Sequence, residues 1–179
     1  SNLGMGYITL GEIRKGISFL KSGLNIVRKT GEKRLEASTL RFMGHAHYTL
    51  GDTLEAINYH TQALDISREI GAKWMEEQDL RALGNDYRVS GDFRHAISYF
   101  SKSLEIAREI KNKKGEHQST VRLGQTHLLA GHILEAERYF INSGPLTLAY
   151  LKIAQGKFPD AISLLETALE EEMEEEEDR

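Results

Sequence analysis

The chain has 179 residues, a 40% hydrophobic share, a net charge of −4 and no cysteine. Disulfides and thiolate metal sites are therefore excluded, no apolar run approaches the ~20 residues that span a bilayer, and no signal peptide is visible. Eight of the 27 acids lie in residues 170–179 beside one base, so the other 169 residues carry 22 bases against 19 acids, a net of +3. That mildly basic body has its aromatics at core positions and lacks the basic stripe of a nucleic-acid binder. Neither nucleic acid nor a membrane is expected as a partner, and the missing cysteines fit a cytoplasmic, reducing setting.

Glycine sets the period. Gly4, Gly44, Gly84 and Gly124 stand 40 residues apart, and Gly11, Gly51, Gly91 and Gly131 follow seven residues after each. Gly16, Ala56, Ala96 and Ala136 come next, then Phe19, Tyr59, Tyr99 and Tyr139. A fixed period of this length marks stacked repeats, which work as holding surfaces more often than as reaction pockets.

In chain order, Ser1 falls inside a first helix, so the first repeat is incomplete and further repeats are expected before it. Leu40, Phe42, Met43, Ala46, Tyr48 and Leu50 recur at helical spacing, as do Leu54, Ala56, Ile57, Tyr59, Ala63, Leu64, Ile66 and Ile70. Gly51 ends the first of these helices and Asp52 caps the second; Gly91-Asp92 repeats the signal. Gly44 and Gly84 sit within helices, where a close helix crossing against Ala56 and Ala96 would explain them. The register breaks after Ala136: the next small-residue position is Ala161, 25 residues on. Asn142-Ser143-Gly144-Pro145 interrupts, and helices over Leu146–Gln155 and Phe158–Glu170 follow. The expected organisation is repeats over 1–141, a shortened pair over 142–169 and an acidic tail over 170–179, read as frayed or disordered.

Met43-Gly44-His45-Ala46-His47, Leu83-Gly84-Asn85-Asp86-Tyr87 and Leu123-Gly124-Gln125-Thr126-His127 resemble the Leu-Gly-x-x-Tyr of the tetratricopeptide repeat. Ala96, Phe100 and Ser103 match its second helix, while His60 and Leu20 replace the aromatic elsewhere. The unit is six residues longer than the standard 34, with Arg28, Arg68 and Arg108 where its closing Pro would stand. This long form is similar to repeats of kinesin light chains, Pins-type G-protein modulators and bacterial STAND ATPases.

The resemblance implies an all-α, right-handed superhelix (an α-solenoid) of antiparallel helix pairs, with first helices along a concave wall. The positions it turns inward include Arg41, His45, Tyr48, Thr49, Arg81, Asn85, Arg88, Val89, Gln125, Leu128 and Leu129. It implies a groove for a protein or peptide, with arginines suited to acidic side chains and Asn85 to a peptide backbone. The chaperone-tail clamp is not expected, because its positions read Arg41, His45, Asn85, Val121 and Gln125. Two other readings stand beside the groove: the sensor or autoinhibitory arm of a larger STAND-type ATPase, and a spacer that self-associates weakly through its N-terminal face. No enzymatic activity, cofactor or metal is expected. His47 and His127 take the motif's Tyr position and His60 an aromatic core position, and no two histidines stand four apart on a helix. Trp74 is expected to pack between repeats.

Overall fold

The computed structural model describes residues 2–9, 11–141 and 145–177, the side chains of 2, 3, 5, 9, 146 and 169–177 excepted. They form ten helices: α1 (Asn2–Thr9), α2 (Ile13–Thr30), α3 (Lys33–Leu50), α4 (Thr53–Glu69), α5 (Lys73–Val89), α6 (Phe93–Glu109), α7 (Lys113–Leu129), α8 (Ile133–Phe140), α9 (Pro145–Ala154) and α10 (Phe158–Glu177). The described residues contain no strand, so the all-α expectation holds. The chain divides into two compact units, Ser1–Gly115 and Glu116–Arg179.

In the first unit, odd-numbered and even-numbered helices pair through α1–α2, α3–α4 and α5–α6, and each pair packs on the next. The turns explain the second glycine series. Gly51 and Gly91 have φ of 81° and 82°, left-handed values that let the chain reverse within two residues. Gly31 and Gly71 do the same between pairs, but in the third such turn Lys111 takes φ 56°. Asp92 caps α6 by accepting from the His95 N–H at 3.1 Å. Asp52 does not cap α4 with its side chain; it turns instead to His47 Nδ1 at 3.3 Å.

The helix-interior glycines meet a large side chain besides the small residue expected, which Gly16 supplies at Gly4, its carbonyl 3.1 Å from where a Cβ would stand. Ala56, Ala96 and Ala136 are buried, but the space a Cβ would need at Gly44 is filled by the His60 ring, and at Gly84 by the Phe100 ring, 2.7 Å away. Leu20 occupies the same place beside Gly4. The ring four residues after each alanine reaches across the pair, and only a glycine lets the helices close on it. A second set of rings fixes the far end of each pair. Tyr7 stacks on Phe19, His47 on Tyr59 and Tyr87 on Tyr99, with centroids 5.1, 5.3 and 5.3 Å apart. His47 is thus a half-buried packing ring, as its motif position implied.

Side chains tie each helix pair to the next. Arg28 Nε donates to Glu36 Oε1 at 2.9 Å, and Arg68 Nε to Glu76 Oε1 at 2.9 Å. Each ties the end of a second helix to the start of the next first helix. Lys33–Glu69 and Lys73–Glu109 add ion pairs of 3.3 and 3.7 Å with the same period. The lysine pairs are exposed on both sides, so each contributes a fraction of a kcal/mol, up to about 1.

The second unit holds the rest of α7 with α8, α9 and α10. Gly124 faces the Phe140 ring as Gly84 faces Phe100, and His127 stacks on Tyr139 at 5.4 Å. Ala136, Phe140 and Leu151 form its core with Leu128 and Leu148 packed against them. The expected break at Asn142, Ser143 and Gly144 lies outside the described residues. The backbone of α10 continues to Glu177, seven residues beyond the expected helix end at Glu170, while the side chains of the acidic tail lie outside the description.

Trp74 corrects the sequence reading. It is 59% exposed instead of packed between repeats. It is the second residue of α5, and Arg34 and Lys114, one period either side, are exposed as well.

Candidate functional site

In the first unit the first helices α3 and α5 lie side by side. Arg41, His45 and Tyr48 follow one stripe of α3, and Arg81, Asn85 and Arg88 one stripe of α5, at helical spacings of three and four. His45, Arg41 and Arg81 are close enough for their charges to interact.

Arg41 is not the open cation expected of a groove. Its side chain is 9% exposed, and its Nε lies 2.8 Å from Oδ1 of the fully buried Asp79. The N–H is not aligned for a hydrogen bond, so the contact is an ion pair by proximity; Nη1 donates to Gln78 Oε1. Asp79 also accepts from Ser67 Oγ at 2.6 Å. Burial pushes the Asp79 carboxyl above its ordinary value, against the pull of Arg41 and the Ser67 bond. The guanidinium is occupied because a buried carboxylate needs a cation more than solvent does.

Two more buried acids sit on α5. Asp86 Oδ2 accepts from His60 Nδ1 at 2.6 Å, with both side chains 1% exposed. Burial again pushes this carboxyl up, and the His60 hydrogen bond opposes it. Glu77 is fully buried and accepts from Ser103 Oγ at 3.1 Å and Asn112 Nδ2 at 3.4 Å, and Arg81 Nε approaches it at 3.2 Å. Glu77 thereby binds α5 to α6 and the turn after it. The sequence reading missed this trio, and the period held a signal for it. Asp79 stands where the other repeats carry Thr39 and Ser119, and Asp86 where they carry Ala46 and Thr126, all buried. Charges at small core positions require partners.

What remains open on the α3/α5 face is a mixed polar set. His45 keeps an exposed edge, yet the protein crowds it, and its ring meets His60 edge-on at 5.4 Å. Desolvation, followed by the charges of His60, Arg41 and Arg81, lowers its pKa to about 4. It is therefore a neutral imidazole at pH 7. Thr49 is exposed, with its hydroxyl donating to the His45 carbonyl at 2.9 Å, and Tyr48 is half-buried. Val89 is exposed. Asn85 donates Nδ2 to the Arg81 carbonyl at 3.1 Å, which fixes the amide and leaves Oδ1 as an enclosed acceptor without a partner. Arg88 Nε is enclosed and also lacks a partner.

In the second unit, Gln125 accepts from Arg122 Nη1 at 3.1 Å, Leu128 packs into the core and Leu129 is exposed. Among the described residues no three His, Asp or Glu side chains converge as metal ligands, and no helix is long and apolar enough to cross a membrane.

The Tetratricopeptide repeat family model matches residues 1–69. That stretch is similar to tetratricopeptide repeats. Solved structures extend the fold over most of the chain. The putative kinesin light chain TPR-like repeats of Podosopora anserina share 17% identity, covering 92% of this chain and 89% of theirs, with a TM-score of 0.80. A Rap protein complexed with Competence and Sporulation Factor shares 18% identity over 98% of this chain and 53% of its own, with a TM-score of 0.80. The STAND signal-transduction ATPase of Pyrococcus horikoshii, which has a tetratricopeptide-repeat sensor, shares 23% identity over 90% of this chain and 24% of its own, with a TM-score of 0.73. At these identities the likeness is one of fold. No curated protein matches the sequence.

Proposed function

We propose that the chain is a protein-interaction module that holds an extended peptide or partner segment against the α3/α5 face. The observation that carries this is Asn85 Oδ1, an enclosed acceptor left without a donor on the same helix as the unpartnered Arg88 Nε. A buried acceptor without a partner costs about 1–3 kcal/mol, and the N–H of a bound backbone would remove that cost. Arg88 Nε offers a donor one turn further along α5.

The ligand suited to this face is less acidic than three free arginines would select. Arg41 is consumed by Asp79, Arg81 is engaged by Glu77, and His45 is neutral. One cation, Arg88, and the Asn85 amide lead the recognition, with Tyr48 and Val89 supplying apolar contact. The role is binding without catalysis, in a signalling or scaffolding complex, which is the setting the resemblance to long tetratricopeptide repeats implies. The Rap conjugation gene regulator of plasmid pLS20, solved in complex with the Phr* peptide, supports a peptide ligand by analogy of fold alone.

The test is a random-peptide display selection on the whole chain, followed by affinity measurements on Asn85→Ala and Arg88→Ala. Selected peptides should lose about tenfold or more on Asn85→Ala. Peptides that bind both variants as well as the parent would place the site elsewhere.

A further inference from the structure

The chain has one tryptophan, Trp74, and it lies open to solvent in a middle repeat. The pair α3–α4 precedes it and α7 follows, so this exposure does not arise at an end of the chain. An indole ring buries about 150–250 Å² when it is covered. Trp74 has no hydrogen-bond or ring partner among the described residues.

It stands in the second of three turns, residues 30–35, 70–75 and 110–115, which join each second helix to the next first helix. Together these turns hold six bases, Lys33, Arg34, Lys73, Lys111, Lys113 and Lys114, and one acid, Glu32. Lys33 and Lys73 are engaged by Glu69 and Glu109. Arg34, Lys111 and Lys114 are exposed and have no ion-pair partner among the described residues.

Neither packing nor helix electrostatics accounts for these side chains. Lys111 holds a left-handed φ where the other two turns carry Gly31 and Gly71, at a cost of about 1 kcal/mol. Arg34 and Lys114 are second residues of their helices, where the helix dipole favours acids. The charges also decide the kind of partner. Glu69 and Glu109 are exposed on the same edge, between the bases, so a continuous phosphate chain would meet both signs. Separate carboxylates flanking an apolar side chain suit three separate bases around an indole.

We infer that this edge is a docking surface for an acidic protein segment with an apolar anchor. The anchor packs on Trp74, and the flanking acids pair with Arg34, Lys111 and Lys114. Packed helices lie roughly 8–10 Å apart, a distance that an extended chain covers in about three residues. Acids about three positions either side of the anchor therefore match the period. Trp74 lies eleven residues before Asn85, about 16 Å along α5, and this second surface does not depend on the Asn85 reading.

The probe is a synthetic peptide of about nine residues, glutamates around one central leucine, long enough to place acids three positions either side of the anchor. Trp74 is the only tryptophan, so its emission reports on this surface. Titrating the whole chain with the peptide should shift that emission to shorter wavelength. Affinity should fall about tenfold or more between about 0.05 M and 0.5 M salt. The reversal Arg34→Glu, Lys111→Glu, Lys114→Glu should weaken binding about tenfold or more. With the peptide labelled and anisotropy as the readout, Trp74→Ala should lose about tenfold, Trp74→Phe should retain most of the affinity and Asn85→Ala should match the parent. Circular dichroism on each variant verifies folding. Four results overturn the proposal. They are unchanged emission up to millimolar peptide, affinity indifferent to the reversal or to Trp74→Ala in a folded chain, and equal losses on Asn85→Ala and Trp74→Ala, which would put the peptide on the α3/α5 face. The fourth is an emission shift at lower concentration with a single-stranded oligonucleotide or a phosphatidylserine vesicle than with the peptide.

Discussion

Arg41 Nε lies 2.8 Å from Asp79 Oδ1, and both side chains are closed off from solvent. The pair spans from one first helix to the next, so it serves the stack and not a ligand. Removing one partner leaves the other charge buried and alone. Asp79→Ala is expected to cost about 3–5 kcal/mol in urea unfolding. Lys33→Ala, at the exposed Lys33–Glu69 pair, should cost less than about 1 kcal/mol.

The same change at two glycines should act with opposite sign. In an open helix Gly→Ala gains about 1 kcal/mol, and nothing lies near the position a Cβ would take at Gly23 in α2. Gly23→Ala should therefore stabilise the first unit by roughly 0.5–1 kcal/mol. At Gly84 the added methyl would fall 2.7 Å from the buried Phe100 ring. Gly84→Ala should destabilise by about 1–3 kcal/mol, and pairing it with Phe100→Leu should recover part of the loss.

Lys111 holds φ 56° in a turn where Gly31 and Gly71 hold 72° and 64°. A side chain there pays about 1 kcal/mol for the left-handed conformation. Lys111→Gly should raise stability by up to about 1 kcal/mol, read as a higher urea midpoint with an unchanged slope.

The His45 pKa of about 4 makes the chain sensitive to acid. A histidine whose folded pKa is lowered contributes stability above the ordinary value of 6.5, and that contribution fades as pH falls from 6.5 towards 4. The raised carboxyls of Asp79 and Asp86 work the other way: their contribution is full below 3.8 and is lost as pH rises through their folded values. The difference in unfolding free energy between parent and His45→Gln isolates the histidine. It should be flat from pH 8 to 7 and shrink between 6.5 and 4, and NMR titration of the ring should place its midpoint near 4.

The repeating skeleton was legible because it depends on positions that recur: Gly51 and Gly91 at the turns, Gly44 and Gly84 at the crossings. What faces Gly44 was less legible, since Ala56 and His60 both lie on the facing side and only packing shows that the ring enters the gap. The candidate face was carried over from the family's pattern, and helical spacing sets His45, Asn85 and Arg88 on two stripes. Spacing could not reveal that Arg41 is neutralised by a residue 38 positions away, because a buried ion pair is a property of two helices together. Trp74 went astray for a related reason: proximity to a repeat junction does not decide whether a first-turn side chain points into it.

The account turns on the unpartnered polar atoms of Asn85 and Arg88. Its most direct test is the affinity of display-selected peptides for the parent, for Asn85→Ala and for Lys102→Ala, an exposed change on α6. Asn85→Ala should bind about tenfold or more weakly with its unfolding curve intact, and Lys102→Ala should match the parent. Equal affinity for all three chains would contradict the assignment of the α3/α5 face as the binding surface.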